Sequence, residues 1–433
     1  MRKLLVLTFI ILGCVCPVFS QTLSSQDRDR AMIMLKAVRD DIKKNYYDPG
    51  LRGIDIEAKS KAAEERIKQA KSNGEVFGII AQMMLDFNDS HTLFIPPQRM
   101  SRVEYGWEMQ TFGANTYVIA VKPKSDAEAQ GIKPGDRVIK IDGIAPSREN
   151  FWIYNYIYST LSPRPMVRME VQSPGAEPRL VEVKAKVKEG KKVFDLTDTF
   201  DVNALLREQE DEDRMGQHKV VEVGSDIGIW RMPSFDLTQD GVDNAINKVK
   251  KHKTLILDLR RNGGGAVETL KNLVGNFFDR DVTIGTTKWR KEEKPLIAKT
   301  RGDSGFKNNL IVLIDSESGS AAEVFARVVQ LEKRGTVIGD RSAGKVMVSR
   351  LYPHQIGLET QVFYATSVTN ADLLMTDGKS LENVGVIPEE VMLPTGEDLR
   401  ALKDPVLARA VAAAGGNMDP ADAGKLFPFK WKP

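Results

Sequence analysis

The chain has 433 residues, of which 42% are hydrophobic and 28% are charged, so it is long enough for two or three globular domains. Its formal net charge of +3 is too small to indicate nucleic acid or an anionic membrane as a partner. The four histidines are far apart in the sequence and no HExxH motif is present, so neither a metal centre nor another cofactor is expected.

The first twenty residues have the pattern of an export signal. Arg2 and Lys3 supply positive charge, Leu4 to Leu12 form an apolar core, and small residues precede a cleavage point after Ser20. The apolar core is too short to span a bilayer. We therefore expect a periplasmic or secreted protein without an integral membrane span, whose mature chain has no cysteine. A lipoprotein anchored at Cys14 is the alternative.

Hydrophobic periodicity and turn residues divide the rest of the chain into zones. The first zone has apolar residues at helical spacing, and the second has short runs in which apolar and polar residues alternate. A charged stretch without hydrophobic periodicity follows. The last zone has longer apolar runs that alternate with helical segments. The predicted division is residues 22–100 as an N-terminal helical region, 101–188 as a β-rich domain, 189–218 as a linker, 219–396 as the main domain, and 397–433 as a C-terminal helix and tail.

The main domain has the pattern of a parallel sheet. The apolar run Thr254 to Leu259 is typical of a strand buried on both faces, and it is followed by a glycine turn and a helical segment. The run Leu310 to Asp315 repeats this scheme. Strand, small-residue loop, helix and strand is the order of βαβ units. In such sheets ligands bind at the carboxyl ends of the strands, where both loops lie.

Ser320 and Lys345 are the candidate catalytic pair in these loops. Ser320 begins a helical segment, where a serine often serves only as an N-cap. However, the N–H groups of Ala321, at the helix N-terminus, and of Gly264, in the glycine turn, could both stabilise an oxyanion. A buried lysine could act as the base for a serine nucleophile. This combination predicts a serine hydrolase.

The segment Gly339 to Lys345 also matches half of a phosphate-binding loop. The position that should hold a magnesium-binding serine or threonine is Val346, and the following residues favour a strand instead of a helix. The pattern therefore gives weak support to a nucleotide site.

Four segments resemble the signature blocks of the C-terminal processing (tail-specific) serine peptidases: Leu257–Gly265, Gly319–Ala326, Gly339–Lys345 and Glu382–Pro388. The interval between Ser320 and Lys345 also matches that family. The resemblance implies a processing-peptidase, crotonase-like α/β core with parallel βαβ units. It also implies polypeptide substrates and hydrolysis through an acyl-enzyme on Ser320.

Residues 101–188 resemble the PDZ domain of those peptidases, most clearly at Ser125–Asp136 and Ile141–Gly143. Such domains capture an extended chain end by adding it as a strand. The resemblance places substrate binding near Gly106 and Trp107.

The general base has two candidates. In the bacterial processing peptidases a glutamine four positions after the lysine supports it, and Ser349 stands at that place here. The segment around His91 resembles the histidine segment of the related tricorn core proteases. Their tetrad would correspond to Ser320, His91, Ser90 and Glu382.

An imidazole accepts a proton near pH 7 with little tuning, whereas a lysine needs a pKa shift of about three units, or about 4 kcal/mol. This argument favours His91 and leaves Lys345 as the alternative. The predicted function is an exported serine endopeptidase that cleaves extended or C-terminal polypeptide segments. The alternative is a catalytically decayed PDZ-containing protein that binds peptides or other ligands.

Overall fold

The computed structural model describes residues 23–97, 101–161, 163–189, 218–357 and 361–431. The predicted export signal, Cys14 and residues 190–217 of the predicted linker lie outside these ranges. Among the described residues, no helix combines the length and the apolar character needed to cross a membrane.

Three helices form the N-terminal part of the described chain: α1 (Ser25–Asn45), α2 (Ile56–Gln69) and α3 (Asn73–Leu85). Each begins after a residue whose side chain accepts a backbone N–H of the first turn, namely Ser24, Asp55 and Ser72. Their apolar faces pack into one cluster with strand residues from much later in the chain, including Tyr364 and Val368. A turn after α3 then leads into β1 (Leu93–Ile95).

The next part of the chain is rich in β-strands. The elements are β2 (Ser101–Glu104), β3 (Trp107–Phe112), β4 (Asn115–Val121), α4 (Asp126–Ala129), β5 (Arg137–Ile141), α5 (Phe151–Asn155), β6 (Met166–Gln172), β7 (Arg179–Lys184) and β8 (Lys186–Glu189). Five antiparallel strands form a sheet in the order β3-β4-β5-β6-β7, and β2 pairs with β8. A helical segment between β5 and β6 continues from α5 into a wider π-type turn, Tyr156–Leu161.

The remaining part contains two sheets and most of the other helices. A short 3-10 turn lies at Gly302–Ser304, and another, Leu51–Gly53, lies between α1 and α2. The elements are β9 (Lys219–Val223), β10 (Ile227–Arg231), α6 (Gln239–Val249), β11 (Thr254–Asp258), α7 (Val267–Gly275), β12 (Val282–Trp289), β13 (Glu293–Ala298), β14 (Asn309–Ile314), α8 (Ala321–Leu331), β15 (Thr336–Gly339), β16 (Val348–Ile356), β17 (Val362–Met375), β18 (Glu390–Val391), α9 (Gly396–Arg400), α10 (Pro405–Ala413) and α11 (Pro420–Leu426).

The central sheet has the order β18-β15-β14-β11-β10-β9, with parallel pairing from β10 through β18 and an antiparallel β9 at one edge. Every residue of β11 is buried. Leu255 and Leu257 pack with α6, α7 and α8 on one face, while Ile256 packs with α10 and α11 on the other. The predicted strand that is buried on both faces is therefore present.

The second sheet brings the N-terminal part to the core. Its order is β1-β17-β12-β13, with β16 also paired to β17. In the β1–β17 register, Leu93 lies opposite Ser367. This pairing holds the turn before β1 close to the carboxyl ends of the parallel strands.

Candidate active site

Ser320 occupies a strained turn between β14 and α8. Its φ of 52° and ψ of −121° lie in a region that residues other than glycine adopt only when the surrounding structure enforces it. Its N–H donates to the carbonyl oxygen of Lys345 at 2.8 Å and to Oε2 of Glu323 at 3.0 Å. These contacts hold the backbone of Ser320 directly against the Lys345 loop.

The glycine turn after β11 lies against Ser320. Gly264 has a φ of +100°, and a Cβ at this position would be 2.5 Å from Cβ of Ser320. Only glycine therefore permits this approach. The N–H of Gly264 donates to Oδ1 of Asn262 at 2.8 Å, and Asn262 in turn donates to the carbonyl of Met232 at 2.8 Å. A substrate oxyanion would have to compete with Asn262 for this N–H.

Ala321 is the first residue of α8. The first N–H groups of a helix have no partner within the helix, and the helix dipole favours negative charge there. Ala321 therefore lies where an oxyanion donor is expected. The assignment of Ala321 and Gly264 as an oxyanion hole stays a prediction.

His91 belongs to a chain of hydrogen bonds with Ser90 and Glu382. Oγ of Ser90 lies 2.7 Å from Nδ1 of His91 and donates to Oε2 of Glu382 at 3.1 Å. Because the single hydroxyl proton of Ser90 goes to the carboxylate, Ser90 accepts the Nδ1 proton of a neutral imidazole. The Nε2 atom of His91 is then left as the proton acceptor.

Glu382 also joins this chain to the loop of Lys345. Its Oε1 accepts the backbone N–H of Ser90 at 2.9 Å, and its Oε2 accepts that of Val346 at 3.0 Å. Burial raises the pKa of Glu382, while these hydrogen bonds oppose the rise. One carboxylate therefore fixes the histidine segment relative to the loop after β15.

Asp89, which sequence reasoning did not single out, orders the histidine turn. This buried carboxylate accepts the N–H groups of His91 at 2.9 Å and Thr92 at 3.2 Å, and the hydroxyls of Thr369 at 2.6 Å and Tyr46 at 2.9 Å. The turn is therefore tied to both α1 and β17. The sequence signal was limited to an aspartate in a turn, a position where its side chain commonly binds nearby N–H groups.

The two candidate bases lie in one electrostatic environment. Burial lowers the pKa of His91, the charge of Asp89 raises it, and the charge of Lys345 lowers it further. Burial also lowers the pKa of Lys345, against the opposing effect of Glu323 and other carboxylates. The Nζ atom of Lys345 is 5.5 Å from the ring centroid of Trp152. Glu382 connects the His91 turn to the Lys345 loop, although within its described residues the structure shows no hydrogen bond from the Ser320 hydroxyl to either candidate base.

Glu323 is a second residue that sequence reasoning missed. It is fully buried, and it accepts hydrogen bonds from Ser342 Oγ and Gly344 N at 2.6 Å, Lys345 N at 2.8 Å and Ser320 N at 3.0 Å. Burial raises its pKa to about 7. It therefore positions the candidate nucleophile against the lysine loop. Its spacing from Ser320 is that of a capping box, which was the available sequence signal.

The predicted substrate-binding residues Gly106 and Trp107 lie in the β-rich part. They line a cavity of about 240 Å³ together with Tyr154 and Tyr158. Gly106 has a φ of +76°, and a Cβ there would be 2.4 Å from Cβ of Ser125, so the close approach to α4 requires glycine.

The nucleotide alternative has no support in this loop. The N–H groups of Gly344 and Lys345, which a phosphate-binding loop would direct at phosphate oxygens, both donate to the carboxylate of Glu323. The loop is followed by β16 instead of a helix. No group of His, Asp or Glu side chains suited to a metal occurs among the described residues.

Comparison with known proteins gives a family match for part of the chain. Residues 226–392 match the model of peptidase family S41. The carboxy-terminal-processing protease of Bartonella bacilliformis is 28% identical over 39% of this chain and 39% of its own length. The carboxyl-terminal-processing protease of Synechocystis is 21% identical over 76% of this chain and 74% of its own length. The tail-specific protease of Haemophilus influenzae is 24% identical over 66% of this chain and 41% of its own length.

Solved structures support the fold. The crystal structure of mature CPAF superposes with a TM-score of 0.65 at 15% identity, over 87% of this chain and 95% of that chain. The photosystem II D1 C-terminal processing protease superposes with a TM-score of 0.51 at 17% identity, over 85% and 94% of the two chains. The fold agrees with the family match, which contains Ser320, Lys345 and Glu382. Residues 226–392 are therefore similar to the peptidase domain of family S41.

Proposed function

We propose that the protein is an exported serine endopeptidase that hydrolyses extended or C-terminal polypeptide segments through an acyl-enzyme on Ser320. The observation that carries the proposal is the hydrogen-bonded chain from Glu382 through Ser90 to Nδ1 of His91. Through Glu382 it connects the imidazole to the Lys345 loop, whose carbonyl accepts the N–H of Ser320. Such an orienting group, base and nucleophile form the usual constellation for acyl transfer.

In the proposed reaction, Nε2 of His91 takes the hydroxyl proton of Ser320 as Oγ attacks the carbonyl carbon of the substrate. The negative charge that develops on the carbonyl oxygen is stabilised by the N–H groups of Ala321 and Gly264. The imidazolium then gives its proton to the leaving amine, which leaves an ester on Ser320. Water, deprotonated by His91, attacks that ester. The imidazolium then returns the proton to Oγ of Ser320 as the acid leaves, which restores the free enzyme.

Ser90 and Glu382 act in this scheme through His91. When the imidazole becomes charged, its Nδ1–H still donates to Oγ of Ser90, whose own proton points at the carboxylate. A charge-assisted hydrogen bond is stronger than a neutral one, so the relay stabilises the charged intermediate more than the resting state. Lys345 is the alternative base, and in the His91 mechanism it contributes a nearby positive charge.

We also propose a separate role for each part of the chain. Residues 22–100 would supply the His91 segment, 219–396 the crotonase-like peptidase core, and 397–433 a C-terminal helix and tail. Residues 101–188 would be a PDZ-like domain, connected to the core by 189–218, that captures extended polypeptide near Gly106 and Trp107. Removal of residues 1–20 on export would be checked by sequencing the N-terminus of the protein recovered outside the cytoplasm.

The test of the function uses a fluorophosphonate probe and a dye-labelled casein substrate. The wild-type protein should be labelled at Ser320, and Ser320→Ala should lose both labelling and hydrolysis while remaining folded. His91→Ala should lose hydrolysis to the same extent, since members of a catalytic unit are not additive. The matched control is Ser367→Ala, which removes a hydroxyl bound to the carbonyl of His91 and not to its ring.

Two results would change the conclusion. Hydrolysis retained by Ser320→Ala would rule out the acyl-enzyme. A folded wild-type protein that neither reacts with the probe nor cleaves casein would favour the alternative, a catalytically decayed peptide-binding protein.

A further inference from the structure

The cavity in the β-rich part is lined in part by a residue from much later in the chain. Its walls are formed mainly by β3 and by the helical segment that carries Tyr154 and Tyr158, but Trp431 also lines it. Beyond α11 the chain therefore crosses from the parallel sheet to the β-rich part. We call residues 427–431 the tail segment.

Aromatic and cationic contacts hold the far end of the tail segment. The Nζ atom of Lys122, on a residue just after β4, is 5.8 Å from the ring centroid of Trp431. Lys122 is itself paired with Glu104 at 2.5 Å. The rings of Phe429 and Trp431 lie 5.1 Å apart at 71°. Cation–π and edge-to-face contacts of this kind favour one docked position over a mobile chain.

The tail segment also crosses the turn beside the nucleophile. The guanidinium of Arg261 is 5.0 Å from the ring centroid of Phe429. Arg261 stands in the turn that leads to Gly264, and it is paired with Glu317 at 3.0 Å. The same short segment therefore contacts both the cavity and the turn that packs against Ser320.

The cavity retains features of a ligand site even with Trp431 present. About 240 Å³ remains open. Two of its lining residues, Trp107 and Tyr154, carry a buried Nε1 and a buried hydroxyl that have no hydrogen-bond partner among the described residues, and Tyr154 is only 6% exposed. Buried polar groups without partners are costly. Both atoms are buried, so the carbonyl oxygens of a bound polypeptide could accept from them only after the cavity rearranges.

We propose that this cavity binds an aromatic side chain of an extended polypeptide and that the tail segment occupies it as an intramolecular ligand, with Trp431 as the anchor. An incoming polypeptide must displace the tail segment before it can bind. That the incoming polypeptide is a substrate rests on the proposed peptidase function. The docking of Trp431 in the cavity does not depend on that function.

Competition predicts a measurable change in apparent affinity. When a site is open for only a fraction of the time, the apparent dissociation constant rises by the inverse of that fraction. If the tail segment is docked in about nine molecules of ten, releasing it should strengthen the binding of a competing peptide about tenfold.

The test uses the full chain with Ser320→Ala, so that no probe is hydrolysed. The probe is a fluorescein-labelled peptide with the sequence of residues Lys425 to Trp431, and binding is followed by fluorescence anisotropy. Adding Trp431→Ala should strengthen binding about tenfold. Adding Lys430→Ala, the matched control, should change it less than twofold, since Lys430 is exposed and does not line the cavity.

A third variant connects the effect to the cavity. In the protein carrying Ser320→Ala and Trp431→Ala, the further change Trp107→Ala should weaken peptide binding at least tenfold, with circular dichroism checking the fold. The proposal is overturned if Trp431→Ala binds the peptide no more tightly than the parent, or if Trp107→Ala leaves the binding unchanged. Failure of the peptidase function would appear separately, as an absence of fluorophosphonate labelling in the wild-type protein.

Discussion

Ser90→Ala tests whether the hydrogen-bonded chain serves catalysis. The substitution removes the hydroxyl that connects Nδ1 of His91 to Oε2 of Glu382, but it leaves the backbone N–H of Ser90 donating to Oε1 of the same carboxylate at 2.9 Å. The histidine turn should therefore keep its place, because Asp89 also holds it through two backbone N–H groups. The expected loss is that of one hydrogen bond to the imidazolium.

The magnitude follows from that bond. A hydrogen bond to a charged group contributes about 1.5–3 kcal/mol, and each 1.36 kcal/mol changes a rate about tenfold. We expect kcat for labelled casein and the rate of fluorophosphonate labelling of Ser320 to fall by about 10- to 150-fold, with KM nearly unchanged. The thermal unfolding midpoint should stay close to that of the wild type.

Ser367→Ala is the matched control for this variant. Ser367 lies on β17, and its hydroxyl donates to the backbone carbonyl of His91 at 2.6 Å. The control therefore removes a serine hydroxyl that is bound to the histidine turn but not to the ring. If Ser90→Ala loses no more activity than Ser367→Ala, the chain from Glu382 plays no part in catalysis. Lys345 would then become the preferred base.

Three further predictions follow from the site. Burial lowers the pKa of His91 from its ordinary value of 6.5. As the pH is lowered, the rate of fluorophosphonate labelling should therefore fall only below pH 6.5. A decline that already begins above neutrality would indicate a lysine base. Gly264→Ala should reduce kcat at least about 100-fold, because its Cβ would meet that of Ser320. The control is Gly263→Ala, whose Cβ would have no neighbour within 4 Å, and it should leave kcat nearly unchanged. For Glu323, a pKa raised from 4.5 to about 7 means that the folded state holds a proton which the unfolded chain releases. The free energy of unfolding, measured with urea, should therefore fall by about 3 kcal/mol between these pH values, and Glu323→Gln should abolish this part of the pH dependence.

The parallel core could be predicted from sequence because its signal is local. In β11, Leu255, Ile256 and Leu257 are consecutive apolar residues, and a strand buried on both faces requires such a run. The small residues before Ser320 and the apolar spacing of α8 likewise marked a strand-to-helix turn. Parallel pairing then brings the loops after the strands to one edge without further information.

The histidine half of the site could not be derived in this way. Ser90 and Glu382 are 292 positions apart, and they meet because β1 pairs with β17 in a sheet that no local pattern specifies. The resemblance to known peptidases identified these residues as candidates, and the structure shows the hydrogen bonds between them. Glu323 was missed because a glutamate in the first turn of a helix looks like an ordinary cap until its complete burial is seen.

The same limit applies to the aromatic cavity. The sequence places Tyr154 and Tyr158 at helical spacing, which is equally typical of core packing. That Trp431 lies beside them depends on the path of the chain after α11, and this path is set by contacts such as the 2.9 Å hydrogen bond from Lys219 to the carbonyl of Leu426. Only the folded chain brings these residues together.

The electrostatics of the site suggest different roles for the histidine and the lysine. A positive charge on Lys345 lowers the pKa of His91, which keeps the imidazole neutral and able to accept a proton. Burial lowers the pKa of Lys345, and the charges of Glu323, Glu317 and Glu382 oppose that shift and favour its charged form. We infer that Lys345 acts as a fixed charge that holds His91 ready to act as the base. Lys345→Met should then move the acid limb of the labelling profile to higher pH, whereas an unmoved limb with abolished labelling would make the lysine itself the base.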